Sequence, residues 1–334
     1  MLPTILAIES SCDDTSIAIL KDDAILVNLV ASQKIHEAYG GIVPEVASRQ
    51  HLKNIIPTIS QAITQAKIQL TDLQAIAVTK GPGLLGSLVV GVNVAKALAL
   101  SLNLPLIEVN HVKAHVLAHF IDDPKPSFPF LCLTVSGGHT QIVLVKDFLN
   151  LEVIGQTRDD AAGEAYDKSG KLLGLPYPAG PLIDKYAALG EAKYSFTEPK
   201  IDGLDFSFSG MKTAIRYFLR DSLKGNDQFI TENRNDICAS IQFSINSFLR
   251  NKLIKASKET GIKEIAIAGG VSANKGLRKM LAEEADRQDW NFYIPQFQYC
   301  TDNAAMIAKA SAYYYEKGHF SDLSLKPAAR LPIS

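Results

Sequence analysis

Cysteine is scarce in this chain. The four present, Cys12, Cys132, Cys238 and Cys300, form no CxxC pair. That spacing disfavours a zinc ribbon or a thioredoxin-like dithiol. Scattered thiols without a framework suit a reducing cytosol. Neither charge sign dominates either. The formal net charge is -1 at pH 7, so no global basic field announces a nucleic-acid partner, although a local patch stays open. Long unbroken apolar runs are also missing. The most apolar stretch, 84–106, is interrupted by Asn93, Lys96 and Asn103 and reads as a buried helix rather than a membrane span. The opening residues MLPTILAIESSCDD turn acidic without a basic leader, a pattern of neither a secretory signal nor a mitochondrial presequence. A cytoplasmic chain without a membrane partner is the expectation. Its 334 residues, 47% hydrophobic and 21% charged, suffice for a sizeable core and two domains.

Two segments share one grammar. Residues 5–20 read strand, polar turn, strand (ILAIE, SSCDDT, SIAIL), and so do residues 130–145 (FLCLTV, SGGHT, QIVLV). Either these are two unrelated hairpins or they mark two related domains facing one cleft. Residues 45–67 are helical by period, with Val46, Leu52, Ile55, Ile56, Ile59 and Ile63 on the expected inner side. A buried strand is expected at 75–78, a long apolar helix after GPGLLGS, and a proline-rich linker at 122–129. Residues 155–200 read as irregular with short helices. Helices follow at 236–260 and 301–317, and strands at 264–268 and 292–294. Strands alternate with helices in both halves, so the class is α/β.

The run His111-Val112-Lys113-Ala114-His115 puts two imidazoles one above the other on a helix face. Such a pair can hold one ion. It is not HExxH, because Val112 stands where a protease would carry its glutamate. His119 extends the series, but three histidines on one straight helix cannot converge on one ion. A carboxylate from a distant segment is the better third ligand, and Asp302 in CTDNAAM is the candidate. The alternative is that Asp302 only caps the last helix and the histidines are structural.

Other segments suggest ligand contact. Thr134-Val135-Ser136-Gly137-Gly138 forms a hairpin tip whose glycines allow close backbone approach to an anion. Ala268-Gly269-Gly270-Val271-Ser272-Ala273-Asn274 follows a strand and opens a helix, where α/β proteins place nucleotides. Asn274 would either contact a ribose or base, or cap that helix. Asp167 and Asp184 would accept from ribose hydroxyls or an amine, although the acidic run 159–167 also reads as a solvated face. GPGLLGS lacks the GK[ST] of a P-loop and reads as tight helix–strand packing. Lys193, Lys200, Lys212, Arg216, Arg220 and Lys224 interleave with Tyr194, Phe196, Phe206, Phe208 and Tyr217. That mixture suits RNA phosphates and unstacked bases, unless FSFSG buries the rings.

Ten ordered motifs closely resemble the tRNA N6-adenosine threonylcarbamoyltransferase family, called TsaD in bacteria and formerly labelled an O-sialoglycoprotein endopeptidase. They are ESSCDDTS, GGIVPEVASRQH, GPGLLGSL, HVKAH, TVSGGHTQ, DDAAGEAYDK, YPAGP, FSFSGMKTA, GGVSAN and CTDNAAMIA. They run from Glu9 to Ala308. One departure is Ala179, where the family usually has glycine before Gly180; alanine fits unless that residue needs positive φ. The resemblance implies a two-lobed actin/Hsp70/sugar-kinase-like (ASKHA) fold with duplicated domains around a central cleft. The lobes are expected at 1–110, joined by 303–334, and at 111–302. It implies metal ligands His111, His115 and Asp302, with Fe2+ or alternatively Zn2+. It implies donor binding by Thr134, Val135, Ser136, Gly137, Gly138, Asp167, Gly180, Asp184 and Asn274, with Asp13 as catalytic base or positioning acid. The implied donor is L-threonylcarbamoyladenylate, which also supplies the adenylate nucleotide. The implied acceptor is N6 of adenosine 37 in the anticodon loop of tRNAs reading codons that begin with A. Implied bacterial partners are an inactive TsaB-like paralogue and a small TsaE-like ATPase. A metalloprotease, a sugar kinase or ATPase, and a noncatalytic assembly subunit are the rival readings. The first lacks a base in sequence, the second leaves the histidines unused, and the third predicts lost ligands.

Overall fold

A computed structural model describes residues 3–196, 198 and 201–333. The chain divides into two compact units. One comprises Met1–Lys125, Phe148–Leu151 and Pro295–Ser334, and the other Pro126–Asp147 and Glu152–Ile294. The division falls within the proline-rich linker and not at 110/111. The reason is local: the strand ending at Asn110 runs directly into the helix starting at His111, with no loop between them. That helix therefore stays with the first unit.

The first unit is built on strands β1 (Ile5–Glu9), β2 (Asp14–Lys21), β3 (Ala24–Ser32), β4 (Ala75–Gly81) and β5 (Leu106–Asn110). Their order in the sheet is β3-β2-β1-β4-β5. β1 and β2 pair antiparallel with Ile5 opposite Leu20, and β1 and β4 pair parallel with Ile5 opposite Ala75. The helices are α1 (Ile35–Tyr39), α2 (Pro44–Ala66), α3 (Leu85–Leu102), α4 (His111–Leu117) and α11 (Ala304–Glu316). α3 and α11 both pack on β1. Every residue of β1 is buried, which is why it reads as an unbroken apolar run apart from Glu9.

α2 begins at Pro44, where a missing N–H costs nothing. Its inner face differs from the expected one. Ala47, His51, Ile55, Thr58, Ile59 and Ala62 are buried, whereas Leu52 and Ile56 are exposed. His51 takes an inner position because its ring bonds Thr15 Oγ1 at 2.8 Å and the Cys12 carbonyl at 3.0 Å. α3 has 18 residues and is long and apolar enough to cross a bilayer by composition. Here Leu88, Val92, Ala95 and Ala99 lie in the core of the unit.

The segment after α11 folds back as a strap. The Ser321 N–H donates to the Leu106 carbonyl at 2.8 Å, and the Ala328 N–H to that of Lys80 at 2.8 Å. The Gly83 N–H donates to the Ala329 carbonyl at 3.2 Å. Asn110 Nδ2 donates to the Pro332 carbonyl at 2.8 Å.

The second unit repeats the plan with β6 (Phe130–Val135), β7 (Thr140–Val145), β8 (Leu151–Gln156), β9 (Glu264–Ala268) and β10 (Asn291–Tyr293). The sheet order is β10-β9-β6-β7-β8. β6 pairs antiparallel with β7 and parallel with β9. Read from β8 to β10, this is the arrangement of the first sheet, so the two hairpins are equivalent parts of a duplicated topology. The helices are α5 (Ala162–Leu172), α6 (Gly180–Ala187), α7 (Ser209–Leu223), α8 (Phe229–Glu232), α9 (Arg234–Thr260) and α10 (Lys275–Gln288). Phe206, Phe208, Ile241 and Phe248 anchor its core.

Candidate metal centre and phosphate-type turns

In the first unit, β5 ends at Asn110, whose side chain accepts from the Val112 and Lys113 N–H groups at 2.9 and 3.1 Å. This capping starts α4 at His111. His111 and His115 then meet edge to face one turn apart, with ring centroids 4.7 Å apart and nearly perpendicular planes. Asp302 reaches them from the loop before α11. Its Oδ1 lies 3.3 Å from the Nε2 of His111 and 3.3 Å from the Nε2 of His115. The helix cap is the next residue: Asn303 accepts from the Met306 N–H at 3.1 Å. Asp302 is thus free of capping duty and faces the histidines.

A residue without a role in the sequence reading completes the cluster. Glu9, fully buried at the end of β1, places Oε2 3.0 Å from His111 Nδ1. Its carboxylate also accepts from the Ser11 N–H and the Thr79 hydroxyl at 2.5 Å each. A carboxylate only accepts, so His111 Nδ1 keeps a proton against Glu9, and Nε2 is the atom that would give up its proton to a ligand. Ser11 Oγ lies 3.2 Å from the same Nδ1. The available signal was one acid in an otherwise apolar strand.

Charge reinforces the geometry. Burial would lower the His111 pKa, but the Glu9 and Asp302 carboxylates overcome it and hold the group well above its ordinary value. His115 is pushed down by burial, with its Asp302 contact opposing only part of the shift. Burial would raise the Asp302 carboxyl, yet the two imidazoles hold it far below the usual carboxylate range.

This donor set fits a metal ion. One ligand atom from each of His111, His115 and Asp302 lies within 4.8 Å of the others. The 3.3 Å separations match an edge of a coordination polyhedron built with bonds of about 2.0–2.2 Å. Two imidazoles and a carboxylate would leave positions open for substrate, and Glu9 stands where an outer carboxylate would orient His111 as a ligand. His119 is buried in a following 3-10 turn and stands outside the cluster. Asp13 sits half-buried in the turn between β1 and β2 of the same unit.

In the second unit, the Ser136 N–H donates to the His139 carbonyl at 2.8 Å, closing the tip between β6 and β7. Ser136 Oγ accepts from the N–H groups of Gly138 and His139 at 3.3 and 3.0 Å. The Gly163 N–H donates to the Ser136 carbonyl at 3.2 Å, bringing the start of α5 beside the tip. A Cβ on Gly269 would stand 2.4 Å from the Val135 carbonyl oxygen, so only glycine lets the β9 turn approach this closely. Thr134 is buried just before the tip.

The remaining residues brace these turns. Asp167 Oδ1 accepts from the Ala179 and Gly180 N–H groups at 2.8 and 3.3 Å. Asp184 accepts from the N–H groups of Lys275 and Gly276, both at 3.2 Å. Asn274 caps α10 through the Leu277 N–H at 2.7 Å and donates to Gln242 Oε1 at 2.9 Å. Capping is therefore one of its roles. Ala179 has φ -86° and needs no glycine. Asp159 of the acidic run caps α7 through the Phe208 N–H at 2.7 Å, and Asp160 pairs with Lys168 at 2.6 Å. Phe206 and Phe208 are buried, so they offer no stacking surface. Lys200 of the basic stretch lies outside the described residues.

A family model for "TsaD: tRNA N6-adenosine threonylcarbamoyltransferase" matches residues 24–309. A Christiangramia forsetii protein named tRNA N6-adenosine threonylcarbamoyltransferase is 57% identical over 330 residues, covering 98% of this chain and 97% of its own. Among solved structures, full-length HypF in its phosphate- and nucleotide-bound form superposes with a TM-score of 0.63 at 15% identity, covering 96% of this chain and 47% of HypF. Component A of the Acidaminococcus fermentans (R)-2-hydroxyglutaryl-CoA dehydratase gives a TM-score of 0.52 at 17% identity, covering 93% of this chain and 96% of its own. These two show the fold, of the actin/Hsp70/sugar-kinase type with duplicated domains. With the family model spanning most of the chain and a full-length relative at this identity, the chain belongs to the tRNA N6-adenosine threonylcarbamoyltransferase family, and it is a transferase.

Proposed function

We propose that this chain transfers the threonylcarbamoyl group of L-threonylcarbamoyladenylate to N6 of adenosine 37 in tRNAs reading codons that begin with A, and that it works in the cytoplasm with a divalent metal. The observation that carries this reading is the His111, His115 and Asp302 cluster, backed by buried Glu9, in a chain of this family.

The chemistry divides among the chain's own groups. The donor is a mixed anhydride, so AMP is already a good leaving group, while the exocyclic amine of adenine is a weak nucleophile. Catalysis then rests on positioning and on stabilising charge at the carbamoyl carbonyl. His111, His115 and Asp302 would hold the ion, Fe2+ or alternatively Zn2+, which when bound supplies Lewis-acid polarisation of that carbonyl. The tip Thr134, Val135, Ser136, Gly137 and Gly138 is assigned to the adenylate phosphate. Gly180, Asp167, Asp184 and Asn274 are assigned to the rest of the adenylate. N6 attacks the carbamoyl carbon, the bond to the phosphate oxygen breaks, and AMP departs. Asp13 is assigned the amine proton. Asp13→Ala, folded and metal-loaded, should slow single-turnover transfer by about 100-fold or more; a normal rate removes the assignment.

Glu9 does not revive a protease. Its oxygens are committed to Ser11, Thr79 and His111, so it is no free base for a water. The inactive paralogue is assigned to the outer face of α2 and α3. Leu52, Ile56, Leu85 and Val89 are exposed there, beside a groove of about 450 Å³ lined by Leu52, Val89, Val90 and Val94. Apolar area of this kind marks an interaction site. Leu52→Glu/Ile56→Glu should abolish co-elution with that paralogue in size-exclusion chromatography. The small ATPase joins that assembly. The deciding experiment for function is transfer from threonylcarbamoyladenylate to unmodified tRNA, read by nucleoside mass spectrometry.

A further inference from the structure

α7 of the second unit carries a line of cations on its outer side. Lys212, Arg216 and Arg220 recur at four-residue spacing, each step rising about 6 Å along the axis, the scale of one nucleotide step. Lys212 sits half-buried at the edge of this face, while Arg216 and Arg220 are exposed. Arg220 is drawn to Asp221 at 3.0 Å. Lys212 and Arg216 have no side-chain hydrogen bond or ion pair among the described residues. Tyr217 lies beside Arg220, 51% exposed, with the Arg220 guanidinium 4.8 Å from its ring centroid. The opposite face carries Met211, Ile215 and Leu219 into the core. A solvent-exposed aromatic ring braced by an arginine suits stacking on a base, and the two unpaired cations on the adjoining side of the helix suit phosphate contacts.

The helix is also fastened to the phosphate-type tip. Asp159 accepts from the Phe208 N–H at 2.7 Å and the Ser209 hydroxyl at 2.7 Å, holding the start of α7. The Thr157 N–H donates to the Thr140 carbonyl at 2.9 Å, and the Ala162 N–H to Thr140 Oγ1 at 2.8 Å, so the segment carrying Asp159 is tied to the strand leaving the tip. We propose that the outer face of α7 is an RNA-contact surface, with Lys212, Arg216 and Arg220 on the phosphates of the acceptor tRNA and Tyr217 stacking an unpaired base. This rests on the reading above that tRNA is the acceptor. The attraction is local: the chain as a whole carries a net charge of -1, so only a clustered face can draw in a polyanion.

The test measures binding of unmodified tRNA to full-length protein across a salt series. Lys212→Ala/Arg216→Ala should weaken binding about tenfold and flatten the salt slope by about two. Tyr217→Ala should weaken it about fivefold or more with the slope unchanged, because stacking releases no counterions. Lys258→Ala/Lys279→Ala removes the same charge from elsewhere on the unit and should keep the wild-type slope. In the reconstituted transfer reaction, the α7 variants should raise KM for tRNA with kcat retained. Wild-type affinity and slope in both α7 variants overturn the surface, as does an equal loss in the control. If wild-type protein forms no threonylcarbamoyladenosine yet shows the α7-dependent slope, the proposed reaction fails and the surface stands. If it forms product while the α7 variants bind like wild type, the surface alone fails.

Discussion

Single atoms decide what the centre can bind. Glu9 fixes the proton of His111 on Nδ1 and so presents Nε2 toward Asp302. Glu9→Gln keeps the shape but replaces a charged acceptor with an amide. It should lower metal affinity by about 10- to 100-fold in a chelator-competition titration; unchanged affinity would show that Glu9 only packs. pH should act through the same residue. A metal must displace the proton from His111 Nε2, and the Glu9 and Asp302 carboxylates hold that pKa well above its ordinary value. The proton therefore competes to a higher pH than at a free imidazole, whose pKa is about 6.5. Metal affinity should rise with pH through that value and keep rising beyond it. A titration series flat above neutral pH would contradict this. The histidine pair was legible in sequence because i and i+4 spacing fixes a helix face. Asp302 was legible only as a candidate, since a carboxylate at a helix start serves equally well as a cap; the cap is Asn303. Glu9 was illegible because its partners lie about 70 and 100 positions away along the chain, at Thr79 and His111.

Elements carry these atoms to their places. Asn110 closes β5, caps α4 and holds the strap at Pro332. Asn110→Ala should destabilise the protein by about 1 kcal/mol in denaturant unfolding and weaken metal binding. Asn110→Asp, which keeps the capping oxygen, should restore most of the stability. Equal stability of wild type and Asn110→Ala would remove the capping argument. The GPG turn works by lacking side chains: a Cβ on Gly83 would meet the Ser11 carbonyl oxygen at 2.3 Å. Gly83→Ala must move the turn that puts Ser11 beside His111 and should lower metal affinity in the same titration. The two hairpins, the helices at 236–260 and 301–317 and the strand at 264–268 were readable from periodicity and breakers. The inner face of α2 was not, because its hydrogen-bonded His51 displaces the apolar pattern and Leu52 and Ile56 face outward. The boundary at 110/111 also misled, since a strand that becomes a helix without a loop leaves no linker composition to read.

At the scale of the molecule, the same strand order appears twice along one chain. The first copy carries the His111, His115 and Asp302 cluster, backed by Glu9, near the ends of β1 and β5, and the second carries the glycine-containing turns at the ends of β6 and β9. This is where α/β sheets hold ligands, outside the carboxyl ends of parallel strands. Duplication was legible in the matched hairpins, but the pairing that made them equivalent required the sheet order. The chain, metal-loaded and with its partners, is proposed to move a threonylcarbamoyl group from an adenylate to tRNA. The most direct measurement incubates it with L-threonylcarbamoyladenylate and unmodified tRNA and analyses the nucleosides by mass spectrometry. Threonylcarbamoyladenosine, lost in His111→Ala and Asp302→Ala, is the predicted result. No modified nucleoside with active partners present, or undiminished product from both variants, would contradict it.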